Sequence, residues 1–533
     1  MDVLRDLVPA DVGTAEARVA VLSGPGGPPT DLLAALPLGS PAATLDADLG
    51  PDRLHALLAA LAPLDLLVDA GGQGGPDRLA ALLGHVRVGG AYAWLLDDAD
   101  SVAAWVESLA DLRASLVSDA SGLPPRKAKK RRDLATLALA TQPTIRDGVL
   151  VAVNEAAMLA KLHDPVVDEV LRERGGPDRV VTSLPAATWA SRAEVRVSRR
   201  PPLNDLPTTY DAPALSLREY HRAVCLPRQA AYTETFVTPE SFRDNLQPRL
   251  QNPALEDWTA RFVRRPAEPF DELAGSWFHL DTHVAAHFGH AVTEQVAHLW
   301  GWAEAKRRDP GLRALVFAPP ETPGAALPGW ARDLLEAGGV SAADVHVAAA
   351  PVRVERLLAA TSAYNIGRYA HPVMAETWGR IGANLSGEGS GPARVFLTRS
   401  GQKRVCRNRE AVESFFADAG FTVVSPERLR LADQVALVRG ASVVAGFAGS
   451  AMFHTAFAAR PQHVVAITTE TYPAHNEHAI AALLGHRLDL VVCPPDVARR
   501  DPDQFTSESF HSDYVVDLDG VEGDFLRAIL PAA

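Results

Sequence analysis

The feature that most constrains this chain is a recurring punctuation in which a short apolar run stops at small residues and a helical pattern follows. Arg18-Val19-Ala20-Val21-Leu22 ends in Ser23-Gly24-Pro25-Gly26-Gly27. Leu64–Asp69 ends in Ala70-Gly71-Gly72; helical spacing over Leu79–Val86 leads to Gly89-Gly90 and a strand over Ala91–Leu96. Far downstream, Ala441-Ser442-Val443-Val444-Ala445 runs into Gly446, Gly449 and Ser450, with a helix expected through about Phe457. Apolar runs this short and this continuous suit strands covered on both faces, and strands alternating with helices build parallel sheets. The expected fold class is α/β.

At 533 residues the chain has room for three or four domains. A Rossmann-like accessory domain is expected over 1–117, and a basic linker with a small connecting α/β region over 118–214. From about 215 one long pattern carries through to near 518. Within the linker, Arg126-Lys127-Ala128-Lys129-Lys130-Arg131-Arg132 holds three of the six lysines. It reads as a linker or helix start, the alternative being contact with a phosphate-bearing membrane surface or another anionic partner.

Balance and usage narrow the class. Against 65 Asp+Glu stand 52 Lys+Arg, a net charge of −13, which is not the basic footprint of a nucleic-acid binder. With 47% apolar and 22% charged residues, the chain is no candidate for global disorder. Cys225, Cys406 and Cys493 are scattered, which argues against a disulfide framework or a structural zinc site and for the reducing cytosol. The first residues lack a basic, then apolar, leader, and the apolar stretch Leu54–Val68 is broken by Pro63 and Asp65, so no bilayer span is expected. The expected localisation is cytoplasmic.

Three clusters carry chemistry. Residues 278–294 hold His279, His283, His287 and His290 with Asp281 and Glu294. On a helix His290 and Glu294 share a face, and His287 lies one turn before His290. An active-site wall, structural histidines and a His-x2-His-x3-Glu metal set are all compatible with that spacing. The second cluster follows the apolar strand Val395-Phe396-Leu397: Arg399, Arg404 and Arg407 read as an anion site where ligands of open α/β sheets bind, the alternative being a solvated charge run. The third is the strand–glycine–helix turn at Gly446, Gly449 and Ser450, whose small residues and backbone amides suit a phosphate, the alternative being a tight structural turn alone. Two anion devices in one α/β region point to a diphosphate.

Two resemblances organise these clusters. The segment LDLLVDAGG…LAALLGHVRVGGAYAWLLDD resembles the second half of a class I, S-adenosylmethionine-type methyltransferase fold. Pro25 interrupts its glycine loop, which implies a degenerate accessory domain, a bifunctional methyltransferase–glycosyltransferase being the alternative. The region 215–518 resembles glycosyltransferase family 61 (the DUF563 type), in a bacterial subgroup. The match rests on Gly289-His290…Glu294, Tyr364-Asn365-Ile366-Gly367-Arg368-Tyr369-Ala370-His371-Pro372, Thr398-Arg399, Arg404…Asn408-Arg409-Glu410, Gly420-Phe421…Pro426-Glu427-Arg428-Leu429, Gln434 and Ala441…Gly446-Phe447-Ala448-Gly449-Ser450. Phe447 or Ala448 stands where the family motif has histidine, and His454 falls near its terminal asparagine.

The resemblance implies an inverting transferase of GT-B architecture, its acceptor-side half at 215–385 and its nucleotide-sugar half at 386–533. The donor implied is a nucleotide-diphosphate sugar, a UDP-sugar in first place, with a glycan or polysaccharide acceptor in capsule or cell-wall assembly. No metal and no other cofactor is obligatory. Glu294 ranks first as general base, then His290 and Asp281. Arg399, Arg404, Arg407, Glu427, Gly446, Gly449, Ser450, Asn476 and Glu477 would bind the nucleotide sugar. His287, Asn365, Tyr369 and His371 would line the cleft on the acceptor side. Homodimer formation is left open, and a non-catalytic nucleotide- or sugar-binding descendant is the alternative from another class.

Overall fold

In the computed structural model the punctuated apolar runs are parallel strands. Described residues are 2–530 apart from 6, 8–16, 26, 29–31, 34–35, 37–41, 72–74, 119–128, 200–205, 320–325, 387–390, 400, 402, 500 and 502–504. They form two compact units. The first comprises Met1–Val181, Arg218–Ser276 and Ala350–Leu358, the second Thr182–Leu217, Trp277–Ala349 and Ala359–Ala533. The region 118–214, expected as one connecting piece, is shared between them, with the division after Val181.

In the first unit, β1 (Val19–Ser23), β2 (Ala43–Asp46), β3 (Leu64–Ala70), β4 (Val86–Leu95), β5 (Thr144–Arg146) and β6 (Val149–Val153) make one sheet in the order β2-β1-β3-β4-β6-β5. The first four pair in parallel; β6 is antiparallel to β4, and β5 to β6. Both faces are covered. Leu22, Leu67, Tyr92 and Leu150 pack into one core, and Val21, Leu66, Val68, Ala93 and Val151 into another. Burial on both sides explains why the strands read as unbroken apolar runs rather than alternating ones.

One local expectation differs. Gly89-Gly90 does not precede the strand but lies within it, β4 beginning at Val86. Gly89 takes φ +80°, and a Cβ on Gly90 would come within 2.7 Å of the Asp65 carbonyl oxygen. The pair accommodates a register shift against β3 between Leu64 and Leu66.

Of the basic run, 126–128 lie outside the described residues. Its remainder opens the helix Lys129–Ala140, where Arg132 is buried and donates to the Asp257 carbonyl. No helix among the described residues is long and apolar enough to cross a membrane.

In the second unit, β7 (Glu194–Val197), β11 (Arg394–Leu397), β12 (Thr422–Val424), β13 (Val443–Phe447), β14 (His463–Thr469) and β15 (Arg487–Cys493) form an all-parallel sheet in the order β7-β15-β14-β13-β11-β12. Val395, Leu397, Val444, Ala466 and Leu490 pack on one face, and Phe396, Ala445, Phe447, Val465 and Val491 on the other. A second parallel array joins β8 (Asp271–His279), through its end from Trp277, to β9 (Arg313–Phe317) and β10 (Val345–Ala348). The expected α/β class is observed, with one all-parallel and one mixed six-stranded sheet. From Phe288 the chain runs as a short α-turn to His290, a π-turn over Ala291–Gln295, a 3-10 turn to His298 and an α-helix over Leu299–Arg308.

Candidate active site

Several of the chemistry-bearing residues of the second unit converge on a cleft of about 780 Å³. Its lining includes His287, Phe288, Trp330, Arg399, Lys403, Arg404, Glu427, Gln434, Gly449, Ser450 and His454.

Its cationic part is built from strand ends. The apolar run of β11 stops at Leu397, so Arg399 emerges just past the carboxyl edge of the sheet. On the neighbouring β13 the chain turns at Gly449, whose φ of +131° favours glycine over any residue with a Cβ. A Cβ at Gly449 would meet Arg399 Nη1 at 3.2 Å and Arg404 Nη2 at 3.3 Å, so both guanidinium groups converge on the open side of this turn. Arg399 is held by the carbonyls of Ala448, at 3.2 Å, and Lys403. Arg404 has a left-handed backbone, φ +53°, and its guanidinium lies 4.2 Å over the Tyr472 ring and 5.3 Å from that of Phe510. Neither arginine has a carboxylate within ion-pair distance among the described residues. Burial, and then the charge of Arg404, lower the pKa of Arg399. Two adjacent, partly desolvated cations without a direct ion pair, Glu477 and Asp513 acting on them only at longer range, form a site that an anion would complete.

Gly449 serves that site differently from the expectation. Its amide donates to Glu477 Oε1 at 2.7 Å and is therefore committed inside the protein. Glu477, on the helix His475–Leu484, is 2% exposed, and burial pushes its carboxyl up to about 7. It holds the turn from below instead of lining the cleft.

Of the histidine segment, His287 and Phe288 line the cleft, while His290 and Glu294 follow them in the helical turns without lining it. His287 caps the helical turn, its Nδ1 accepting the His290 amide at 3.4 Å. His290 Nδ1 lies 2.9 Å from Glu294 Oε2, and the two imidazole rings are 4.6 Å apart. A carboxylate against Nδ1 fixes the proton there and leaves the lone pair on Nε2. His287 has the other tautomer, its Nδ1 accepting, and burial followed by His290 lowers its pKa. Asp281 is buried between strands and accepts the Phe317 amide at 3.1 Å. His279 is wholly buried, and desolvation lowers its pKa to about 3. Among the described residues no three His, Cys, Asp or Glu side chains are grouped to hold a metal ion.

Several expected site residues lie elsewhere. Arg407 donates to Asp496 at 2.8 Å and does not line the cleft. Gly446 is a packing glycine, since a Cβ there would meet the Leu397 carbonyl at 2.6 Å and Met452 Sδ at 2.8 Å. Asn476 accepts the Tyr364 hydroxyl at 2.6 Å, and Tyr369 donates to the Ser362 carbonyl. His371 takes the Val373 amide on Nδ1 and places Nε2 3.1 Å from the Pro185 carbonyl. Asn365 is buried in the hairpin with Tyr369. These groups brace the unit around the cleft. Glu427 and Ser450 do line it, Glu427 accepting the Ser425 hydroxyl at 3.0 Å.

The structure adds Lys403, Trp330, Gln434 and His454, with Tyr472 beneath Arg404. The sequence placed Gln434 and His454 within the family motif without assigning either a place in the cleft; Trp330 carries no local signal.

Compared with known families, residues 288–465 match Glycosyltransferase 61. That stretch contains the His290–Glu294 pair, Arg399, Lys403, Arg404, Glu427, Gly449 and His454. Residues 288–465 thus form a glycosyltransferase family 61 domain, and the N-terminal region is unassigned. No protein of curated function matches the chain.

Proposed function

We propose that this domain moves a sugar from a nucleotide-diphosphate sugar to an acceptor hydroxyl with inversion at the anomeric carbon. The observation that carries the reading is the convergence of Arg399 and Arg404, with no carboxylate in ion-pair distance among the described residues, on the glycine turn at the cleft. In a single displacement, His290 Nε2 takes the acceptor proton as the oxygen attacks the anomeric carbon. The bond from that carbon to the diphosphate oxygen breaks as the new one forms. Arg399, Arg404 and Lys403 receive the charge that develops on the leaving diphosphate. Glu294 keeps the proton of His290 on Nδ1 and stabilises the imidazolium. Glu294, first in rank from the sequence, thus becomes the orienting group and His290 the base. The two parallel arrays of the second unit support a GT-B reading, and cationic side chains do the work that a metal does in other transferases. A UDP-sugar donor and a glycan acceptor in cytoplasmic capsule or cell-wall assembly complete the proposal.

Phe447 or Ala448, both buried, stands where the family motif has histidine, and this favours a second reading in which the cleft binds a nucleotide without transfer. Turnover of a UDP-sugar panel separates the two. His290→Ala should lower kcat about 10²–10⁴-fold with nucleotide affinity retained, and Glu294→Gln should lower it less. Tight nucleotide binding by the wild type with no turnover on a broad acceptor panel would sink the catalytic reading.

A further inference from the structure

His454 has a task that the transfer step above does not use. Its Nδ1 is 2.8 Å from the Ala451 carbonyl, an acceptor, so Nδ1 carries the proton and Nε2 the lone pair. That Nε2 is buried and has no hydrogen-bond partner among the described residues, although the ring lines the cleft. Phe288 stacks on the ring at 4.6 Å, and Trp330 meets Phe288 edge-on at 5.6 Å, so this wall is aromatic and poorly hydrated. Desolvation lowers the imidazole pKa to about 4, which keeps it neutral near pH 7 and makes it no further cation for phosphate. A buried acceptor left unpaired is costly, and a ligand donor would relieve it.

The position narrows the ligand group. His454 and Gly449 are joined by a 3-10 helix, Ser450–Phe457, which rises about 2 Å per residue, so His454 lies about 8–10 Å along it from the glycine turn. With the diphosphate at that turn, as proposed above, the distance is about one nucleoside or one sugar. We infer that His454 Nε2 accepts a hydrogen bond from a neutral N–H of the donor substrate, a specificity contact separate from the phosphate grip. Such an N–H comes from the nucleobase ring or from an acetamido group on the sugar.

Calorimetry on the full chain tests the inference with UDP against its N3-methyl analogue, UDP-N-acetylglucosamine against UDP-glucose, and pyrophosphate. The wild type should discriminate within one pair by at least about tenfold, and that pair names the source of the N–H. His454→Phe should abolish the discrimination while binding pyrophosphate within about twofold of wild type. His454→Gln, which offers a carbonyl acceptor, should restore part of it. Should His454→Phe lose pyrophosphate as well, the wild-type and His454→Gln ratios decide. Equal affinities within both pairs for the wild type, or discrimination surviving in His454→Phe, would overturn the inference. Failure of the wild type to bind UDP or pyrophosphate would instead overturn the nucleotide-sugar reading on which it rests.

Discussion

The molecule has two six-stranded sheets built from the same kind of apolar run, and they treat the charge at their strand ends in opposite ways. At the end of β3, Asp69 is fully buried and closed in: it accepts from the Gly71 amide at 3.2 Å, Arg78 at 3.1 Å and the Tyr92 hydroxyl at 2.6 Å. Burial, then the charge of Asp69, push the pKa of that hydroxyl far up, so it remains a donor. Past β11 and β13, Arg399 and Arg404 converge on one glycine turn with no carboxylate within ion-pair distance among the described residues, Glu477 and Asp513 acting on them only at longer range. A charge whose partners all lie within the fold contributes to holding that fold together. Two like charges held together without a direct ion pair cost stability, and a bound anion would offset that cost.

The comparison can be broken at either end. Arg399→Ala with Arg404→Ala should cost about 10³-fold in nucleotide-diphosphate affinity, two charge-assisted contacts being lost, while the melting temperature holds or rises. A falling melting temperature in that double variant would make the arginines structural. Asp69→Asn should do the reverse: about 2 kcal/mol less stable by denaturant unfolding, with unchanged turnover per folded molecule. Glu477 gives a finer test, because its carboxyl titrates higher in the folded chain, at about 7, than the ordinary 4.5 of the unfolded one. Between those pH values the folded chain keeps a proton that the unfolded chain has released. Its contribution to stability is therefore full below about pH 4.5 and falls, by up to about 1.4 kcal/mol per pH unit, as the pH rises towards 7. Glu477→Gln should lack that slope in denaturant titrations across the range. Arg407→Ala, which removes an exposed ion pair with Asp496, should change stability by less than about 0.5 kcal/mol and leave nucleotide affinity unaltered.

What the sequence disclosed follows from what is local. Strands at Arg394–Leu397 and Val443–Phe447 were legible because burial on both faces writes itself as a continuous apolar run, and Arg399 was legible because it is the first charge after one. Arg407 misled because it is close to Arg404 along the chain; the isolated bridge between Cys406 and Tyr514 carries this stretch past the cleft, and Arg407 turns to Asp496. Gly446 misled because a glycine that lets two strands approach reads the same as one that admits a phosphate. The commitment of the Gly449 amide to Glu477, 28 residues away, has no local signature at all. Neither has the arrival of Trp330 beside Phe288. The pairing of His290 with Glu294 was legible as a spacing, but which imidazole nitrogen it leaves free depends on a tautomer that only the hydrogen bonds assign.

The cation-lined cleft sits in a chain of net charge −13, and the two fields differ in reach. At physiological ionic strength the screening length is about 8 Å, and an approaching anion is within the pull of Arg399 and Arg404 before it senses the protein's total. At about 0.01 M salt the length grows to about 30 Å, and the same anion meets the whole acidic surface first. Dilute buffer, which strengthens most encounters between a cationic pocket and an anionic ligand, here turns the rest of the molecule into a barrier around its own site.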